Sequence, residues 1–214
     1  MFILSDTPSI ANQFLYEMRN VDIQSDSLRF RKNLERLGEI LAYEISKSFT
    51  YLPTETTTPL AKTHVEIPQS QPVIFSVMRA ALPFYQGFLN IYDKAESGFI
   101  GAFREENNSN DISINLGYHT SPNITGKTII IADPMLATGK SLLSSLTIIL
   151  KYGTPKHIHI AAAVAAPEGL AFVKENLKHP FSFWIGAVDQ KLDHNFYIIP
   201  GLGDAGDLAF GSKL

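Results

Sequence analysis

The sequence contains no cysteine, which excludes disulfide bonds, thiolate metal ligands and cysteine nucleophiles. This absence fits a reducing compartment, and we expect a cytoplasmic location. No apolar run approaches the ~20 residues that cross a bilayer, and residues 1–6 lack the basic and long apolar regions of a secretory signal peptide. Lysine and arginine are scattered and the net charge is only −3, so nothing indicates a nucleic-acid-binding surface.

The 214 residues, of which 45% are hydrophobic, suffice for the core of one domain. We expect it to combine N-terminal helices within residues 8–50 with an α/β core over residues 73–211. Residues 8–20 and 25–50 are predicted to be helical. The second segment carries apolar residues at near-helical spacing, namely Leu28, Leu34, Leu37, Ile40, Leu41 and Ile45. This stripe predicts a helix that packs on the core or faces another subunit.

From residue 73 onwards, predicted strands alternate with predicted helices. We place strands at residues 73–77, 98–103, 112–118, 128–132, 158–165 and 181–188, and helices at 82–92, 142–152 and 167–178. This alternation predicts an α/β fold with a mostly parallel sheet flanked by helices. We also expect a β-hairpin extension around residues 98–118, joined by the polar loop 104–111, and a loop in the Thr- and Pro-rich residues 53–59.

The turn that follows the predicted strand 128–132 has the features of an anion site. The strand ends at Asp133, the chain turns through Pro134 to Gly139, and a helix is predicted from Leu142. Backbone N–H groups and the positive end of the helix dipole converge at such a turn. Asp133 would face the hydroxyl groups of a ligand, so the turn predicts a phosphorylated sugar.

The same turn ends in Gly139-Lys140-Ser141, which copies the end of a nucleoside-triphosphate-binding loop. That motif needs a glycine five residues earlier, where this chain has Pro134. Proline has no N–H to donate, and the preceding Asp133 would repel a triphosphate. We therefore disfavour a nucleoside triphosphatase.

Two arginines are candidates for binding a polyanion. Arg79 directly follows the predicted strand 73–77, where it suits a bidentate contact with phosphate or pyrophosphate. Arg104 opens the polar loop between Phe103 and Ile112, and a closing lid would carry its charge to the ligand. Taken alone, each is as well explained by a structural ion pair or a solvated loop charge.

The C-terminal segment is the second candidate site. Residues 201–211 contain four glycines and two acids, a composition that exposes backbone N–H and C=O groups. Such a backbone can read a flat heterocycle, with Phe196 or Tyr197 packing nearby. The histidines show no reliable metal-ligand spacing; His157 and His159 share a face of one strand without an acidic partner.

Three motifs resemble the uracil phosphoribosyltransferase family. They are Asp133-Pro-Met-Leu-Ala-Thr-Gly-Lys-Ser141, Ala165-Ala-Pro-Glu-Gly169 and Tyr197-Ile-Ile-Pro-Gly-Leu-Gly-Asp-Ala-Gly-Asp207. The resemblance covers most of the chain and implies a type I phosphoribosyltransferase fold. It also implies an enzyme of pyrimidine salvage that converts uracil and 5-phosphoribosyl-1-pyrophosphate (PRPP) into UMP and pyrophosphate.

The resemblance assigns the site residues. Catalysis would involve Asp133, Arg79 and Arg104. PRPP would contact Arg79, Arg104, Asp133, Pro134, Met135, Leu136, Ala137, Thr138, Gly139, Lys140, Ser141 and Asp204. Uracil would be read by Ile198, Gly203, Asp204 and Ala205. Asp204 would approach PRPP through Mg²⁺ or water, so Mg²⁺ is the implied cofactor.

Two residues depart from the family pattern, since Lys140 and Ala81 stand where glycine is usual. If either position needs a positive φ, substrate affinity would suffer. The long amphipathic helix predicted at residues 25–50 favours a homo-oligomer, a dimer or a tetramer. Some members are activated by GTP, and that expectation rests on the resemblance alone.

Two alternatives remain open on the sequence. One is a non-catalytic relative that binds PRPP or a uridine nucleotide and regulates a partner. The other is a phosphoribosyltransferase for another base.

Overall fold

The structure is a computed structural model that describes residues 1–106 and 112–212. For residues 102–106 and 112–117, only the backbone is described. The strands are β1 (Phe2–Ile3), β2 (Tyr51–Thr57), β3 (Lys62–Pro68), β4 (Val73–Met78), β5 (Glu96–Glu106), β6 (Ile112–Thr120), β7 (Thr128–Ala132), β8 (Met135–Leu136), β9 (His157–Ala165), β10 (Phe181–Val188), β11 (Lys191–Leu192) and β12 (Ile198–Ile199). The α-helices are α1 (Ile10–Arg19), α2 (Ser27–Ser46), α3 (Ala81–Ile91), α4 (Lys140–Ile149), α5 (Pro167–Asn176) and α6 (Ala205–Phe210).

The main sheet has the order β1-β10-β9-β7-β4-β5-β6, and β8 adds to the end of β9. Neighbouring strands are parallel except β5 and β6, which are antiparallel at one edge. The predicted mostly parallel sheet and the hairpin around residues 98–118 are therefore confirmed. Within the described residues, no helix is long and apolar enough to cross a membrane.

Both faces of the sheet are buried, as the alternation along β7 illustrates. Ile130 belongs to one buried cluster, which also contains Leu34 of α2 and Phe84 of α3. Ile129 and Ile131 belong to the other, together with residues of α4 and α5. Since successive side chains of a strand point to opposite faces, this central strand has to be apolar throughout.

Helix α2 packs inside the chain. Asp26 caps its N-terminus by accepting a hydrogen bond from the backbone N–H of Arg29 at 3.1 Å. Its predicted apolar stripe is buried at Leu34, Leu37, Leu41 and Ile45. Leu28 is an exception, because it lies in the first turn of α2 and 62% of it is exposed.

Three further predictions need correction. Residues 53–59 are not a loop, because most of them form β2, which pairs with β3 in an antiparallel ladder from Tyr51↔Pro68 to Thr57↔Lys62. The β-branched threonines favour a strand, and Pro53 is tolerated because the hairpin is all edge. Arg104 does not open a loop, since it lies within β5 and pairs with Ile114; the rest of predicted loop 104–111 lies largely outside the described residues. The helix predicted from Leu142 begins at Lys140.

Candidate active site

Strands β4 and β7 bring two predicted site segments to the same edge of the sheet. They are parallel neighbours, with Ser76 opposite Ala132. Arg79 therefore follows β4, and Asp133 follows β7, at the carboxyl edge where ligands of such sheets bind. The peptide bond between Met78 and Arg79 is cis.

The turn after β7 surrounds a small hollow. The turn is tied to β9, because Ala163 and Val164 both donate to the carbonyl oxygen of Pro134, at 3.1 and 3.0 Å. The Asp133 carboxylate accepts a hydrogen bond from the Met135 N–H at 3.3 Å. The hollow is lined by Asp133, Met135, Leu136, Ala137, Thr138, Gly139, Ser141 and Leu142. The hydroxyl groups of Thr138 and Ser141, beside the N-terminus of α4, suit a phosphate group.

Gly139 determines how this turn enters α4. It is the N-cap residue, with φ of 76°, a conformation that glycine adopts without strain. A Cβ atom there would lie 2.9 Å from both the carbonyl oxygen of Gly169 and Cγ2 of Val173 in α5. The turn is therefore packed directly against α5.

The C-terminal segment reaches the same edge through Arg79. Nη2 of Arg79 donates to Oδ1 of Asp207 at 2.7 Å, an ion pair in which both side chains are about one-third exposed. The Nε of Arg79 is buried and has no hydrogen-bond partner among the described residues. Oδ1 of Asp204 accepts from the backbone N–H groups of Gly206 and Asp207, at 2.8 and 3.0 Å, and so caps α6. Arg79 thus joins the end of β4 to the Asp204 turn.

The predicted base-reading residues lie in one continuous stretch. Ile198 is buried in β12, which pairs with β11. Gly203 has φ of 90°, and Ala205 is the buried first residue of α6. Phe196 and Tyr197, by contrast, are about half exposed. The segment therefore presents an ordered backbone, with two half-exposed aromatic side chains at its start.

Comparisons with known proteins decide the family. A model of the family described as uracil phosphoribosyltransferase matches residues 4–212. The chain belongs to the uracil phosphoribosyltransferase family. A relative of that name from Porphyromonas gingivalis is 46% identical over 96% of this chain and 95% of its own length. Another from Pyrococcus furiosus is 39% identical over 100% of this chain and 91% of its own length. A solved structure of a protein from Aquifex aeolicus is 32% identical, covers 97% of each chain and superposes with a TM-score of 0.85.

Neither departure from the pattern of the uracil phosphoribosyltransferase family strains the backbone. Lys140 is the first residue of α4 and is exposed, with its N–H donating to Oγ1 of Thr138 at 3.3 Å. Ala81 is the first residue of α3 and is fully buried. Among the described residues other than glycine, only Phe196 has a positive φ. The glycine usual in the uracil phosphoribosyltransferase family is therefore not required at either position.

Sequence reasoning overlooked three charged residues at this edge. Asp207 pairs with Arg79, as described above. Asp189, which follows β10, pairs with Arg19 of α1. The position of Asp189 at the carboxyl end of a predicted strand was the available signal, since it is the same signal that singled out Asp133 after β7.

Proposed function

We propose that this protein transfers the 5-phosphoribosyl group from PRPP to N1 of uracil, giving UMP and pyrophosphate. The observation that carries the proposal is the meeting of two segments at one sheet edge. The turn from Asp133 to Ser141 supplies a small hollow at the N-terminus of α4, and the segment from Ile198 to Ala205 supplies an ordered backbone. The ion pair between Arg79 and Asp207 joins the second segment to the strand beside the first.

The Asp133 turn would hold the phosphorylated ribose. Thr138, Ser141 and the first N–H groups of α4 face a hollow whose helix dipole favours negative charge. The carboxylate of Asp133, which also lines the hollow, would accept hydrogen bonds from ribose hydroxyl groups. Pro134 to Lys140 shape the turn through their backbone.

The leaving pyrophosphate would lie against Arg79. Its guanidinium is partly exposed and its buried Nε has no hydrogen-bond partner among the described residues. A planar guanidinium suits bidentate binding of a diphosphate. Arg104 would add a second positive charge, and that role remains a prediction from the family pattern.

Uracil would be read by the backbone of Ile198, Gly203 and Ala205. Amide groups in a fixed segment present donors and acceptors at set positions, which matches the alternating carbonyl and N–H groups of uracil. Cytosine replaces one carbonyl acceptor by an amino donor. The mismatch would leave a buried group unpaired, at a cost of roughly 1–3 kcal/mol.

The residues present fit Mg²⁺ held largely by the substrate. Mg²⁺ commonly binds one or two carboxylates together with substrate phosphates and water. The described residues contain no group of three or more His, Cys, Asp or Glu that could cage a metal, whereas Asp204 and Asp207 lie beside Arg79. Asp204 would therefore hold the ion, directly or through water. Bound there, Mg²⁺ would neutralise charge on the diphosphate.

In the reaction, the C1–O bond to pyrophosphate breaks and its electron pair leaves with the pyrophosphate. N1 of uracil donates an electron pair to C1 of the ribose, and the N1 proton leaves to water. Arg79 and Arg104 stabilise the charge that develops on the leaving group. Alignment of the two substrates contributes further, because positioning alone can lower a barrier by ~7–11 kcal/mol.

The two alternatives receive less support. A regulator that only binds nucleotides would not need the phosphate turn, Arg79 and the base-reading segment together. A different base would not account for relatives that carry the name uracil phosphoribosyltransferase. We further propose a homo-oligomer in a reducing cytoplasm, with activation by GTP as a separate property to be assayed.

The test is Asp204→Asn. Asparagine is as good an N-cap as aspartate, so α6 is retained while the negative charge is removed. We expect kcat/KM for UMP synthesis, followed by ultraviolet absorbance, to fall at least about 100-fold. Asp22→Asn, which removes an exposed charge in the turn after α1, is the matched control and should retain full activity.

Full activity of Asp204→Asn would reject the assignment of Asp204. The same assay with uracil, hypoxanthine and orotate separates the alternatives. Turnover of hypoxanthine or orotate instead of uracil would indicate another base, and no turnover of any base would favour the regulator.

A further inference from the structure

The segment that would read uracil is anchored by an ion pair outside it. Nη1 of Arg19 donates to Oδ2 of Asp189 at 2.9 Å, and Nη2 donates to Oδ1 at 2.7 Å. Nη1 of Arg19 also donates to the carbonyl oxygen of Gly201 at 3.0 Å. Oδ2 of Asp189 accepts a hydrogen bond from the N–H of Gly201 at 2.8 Å. Both backbone polar groups of Gly201 are therefore bonded to the same pair of side chains.

Gly201 has little freedom to move away from this pair. Its φ is 62°, and a Cβ atom would lie 2.1 Å from the carbonyl oxygen of Ile198. The chain therefore folds back tightly between Ile198 and Gly201. A shift of Gly201 would move Ile198 on one side and Gly203 on the other.

The ion pair is itself held by the sheet and by α1. The Asp189 side chain is 6% exposed and that of Arg19 is 24% exposed. The N–H of Asp189 donates to the carbonyl oxygen of Ala165 at the end of β9, at 2.8 Å. Nε2 of Gln24 donates to the carbonyl oxygen of Arg19 at 3.0 Å. A bidentate, largely buried arginine–carboxylate pair fixes orientation as well as distance.

We propose that Arg19 and Asp189 are positioning residues for pyrimidine recognition. Their ion pair fixes Gly201, and Gly201 sets the backbone of Ile198 and Gly203 in the arrangement that binds the base. This inference rests on the proposed function. It assigns base affinity partly to α1, a helix that supplies none of the residues proposed to contact either substrate.

If the inference holds, breaking the ion pair between Arg19 and Asp189 should affect uracil binding more than PRPP binding. Loss of the pair should displace the base-reading backbone while the Asp133 turn, held by β9 and α5, keeps its shape. The KM for uracil should therefore rise without a matching rise in the KM for PRPP. A purely structural role would change stability and leave the ratio of the two constants unaltered.

A second hydrogen-bonded network on α1 provides the matched control. Glu17 accepts hydrogen bonds from Nδ2 of Asn33 at 2.8 Å and from Nη1 of Arg29 at 3.3 Å. It joins α1 to α2 just as Arg19 joins α1 to Asp189. None of its hydrogen bonds reaches residues 198–205, so Glu17→Gln should reduce stability and leave both KM values unchanged.

The experiment measures both KM values and the thermal unfolding midpoint of the wild type, Asp189→Asn, Arg19→Lys and Glu17→Gln. Asp189→Asn removes the charge at constant size, and Arg19→Lys removes the bidentate geometry at constant charge. In both variants we expect the KM for uracil to rise about tenfold or more, and the KM for PRPP to change less than about threefold. The variant with both substitutions should be no worse than the poorer single variant, since the two residues act as one unit.

Equal changes in the two KM values, an unchanged KM for uracil, or the same selective rise in Glu17→Gln would each overturn the inference. If Asp189→Asn does not fold, Arg19→Lys alone decides the outcome. A wild type that makes no UMP would instead reject the proposed function. The two failures are therefore distinguishable.

Discussion

Neighbouring residues of the phosphate-binding turn differ in how much backbone freedom they need. Gly139 has a positive φ and leaves no space for a Cβ atom, whereas Lys140 already carries a long side chain in a helical conformation. The usual family pattern has glycine at both positions, so sequence comparison alone would treat them alike. The structure separates them, because only the first has a positive φ.

This difference predicts opposite outcomes for two substitutions. Gly139→Ala should raise the KM for PRPP at least about tenfold, because the new Cβ atom pushes the turn away from Gly169 and Val173. Lys140→Gly should leave kcat/KM within about threefold of the wild type, since one exposed helix residue is replaced at a cost of ~1 kcal/mol in stability. Steady-state kinetics with varied PRPP measures both.

A total loss of activity in Lys140→Gly would show that the lysine has a specific role in binding the substrate. Unchanged kinetics in Gly139→Ala would show that the turn tolerates displacement. The second result would contradict the view that the backbone shape at position 139 governs PRPP affinity, whereas the first would contradict the view that Lys140 can be replaced freely.

A candidate site residue could be identified from the sequence when the residues that mark it are close together along the chain. Asp133, Arg79 and Asp204 each stand in a local motif at the end of a strand or in a glycine-rich segment. Arg19 and Asp189 lie 170 positions apart, and no local pattern in one sequence connects them. Their pairing arises from the packing of α1 beside the end of β10, which becomes visible only in three dimensions.

The bounds of a strand could be predicted from the sequence where both of its faces are buried. The run of Thr128–Ala132 is apolar because β7 is covered on both faces, and its predicted bounds agree with the structure. The hairpin of β2 and β3 was missed because its residues are exposed, so no core imposes an apolar pattern on them. Exposed strands leave only propensity as a signal, and propensity is weak.

Strand β9 carries two histidines, His157 and His159, that make the stability of the protein depend on pH. Burial lowers the pKa of His159 to about 3, from its ordinary value of 6.5. Its Nδ1 accepts a hydrogen bond from Nε1 of Trp184 at 2.9 Å, which requires an unprotonated Nδ1. Below pH 6.5 the unfolded chain binds a proton that the folded chain does not, so stability is present above that pH and decreases as the pH falls towards 3.

We therefore expect the free energy of unfolding to decrease by about 2 kcal/mol between pH 7 and pH 5 through His159. Urea unfolding followed by circular dichroism at the two pH values measures this. His159→Gln, which does not titrate, should abolish most of the decrease, and His157→Gln should abolish less because that ring is only partly buried.

Glu17 does not interfere with this measurement. Hydrogen bonds from Gln13 and Asn33 lower the pKa of Glu17 to about 2, so the contribution of Glu17 to stability is lost only below pH 4.5, outside the range from pH 7 to pH 5. An equal pH dependence in the wild type and His159→Gln would show that another group controls acid stability.

Across the whole molecule, the N-terminal helices are part of the candidate site's support. Helix α2 packs against α3 and the sheet, and Nη1 of Arg31 donates to the carbonyl oxygen of Ala209 in α6 at 2.7 Å. Most of the apolar stripe of α2 is therefore buried within the chain, with Leu28 as the exposed exception. An exposed apolar surface lies elsewhere, on the hairpin of β2 and β3.

That hairpin has two different faces. Alternation along the ladder puts Leu52, Val65 and Ile67 on one face, and each is 45–49% exposed. The other face carries Glu55, Lys62, His64 and Glu66. An isolated two-stranded hairpin is only marginally stable in water, and its apolar face gains stability when it is covered. A second copy of this chain would cover it in the homo-oligomer that we propose.

We expect Leu52→Lys combined with Ile67→Lys to shift the protein from oligomer to monomer at micromolar concentration, because two charges would have to be buried without partners. Sedimentation equilibrium measures the mass directly. Glu66→Lys, on the opposite face of the same hairpin, is the control and should leave the association unchanged. If the double variant associates as strongly as the wild type, the apolar face is not part of the subunit contact. If only Glu66→Lys loses the oligomer, the charged face forms the contact instead.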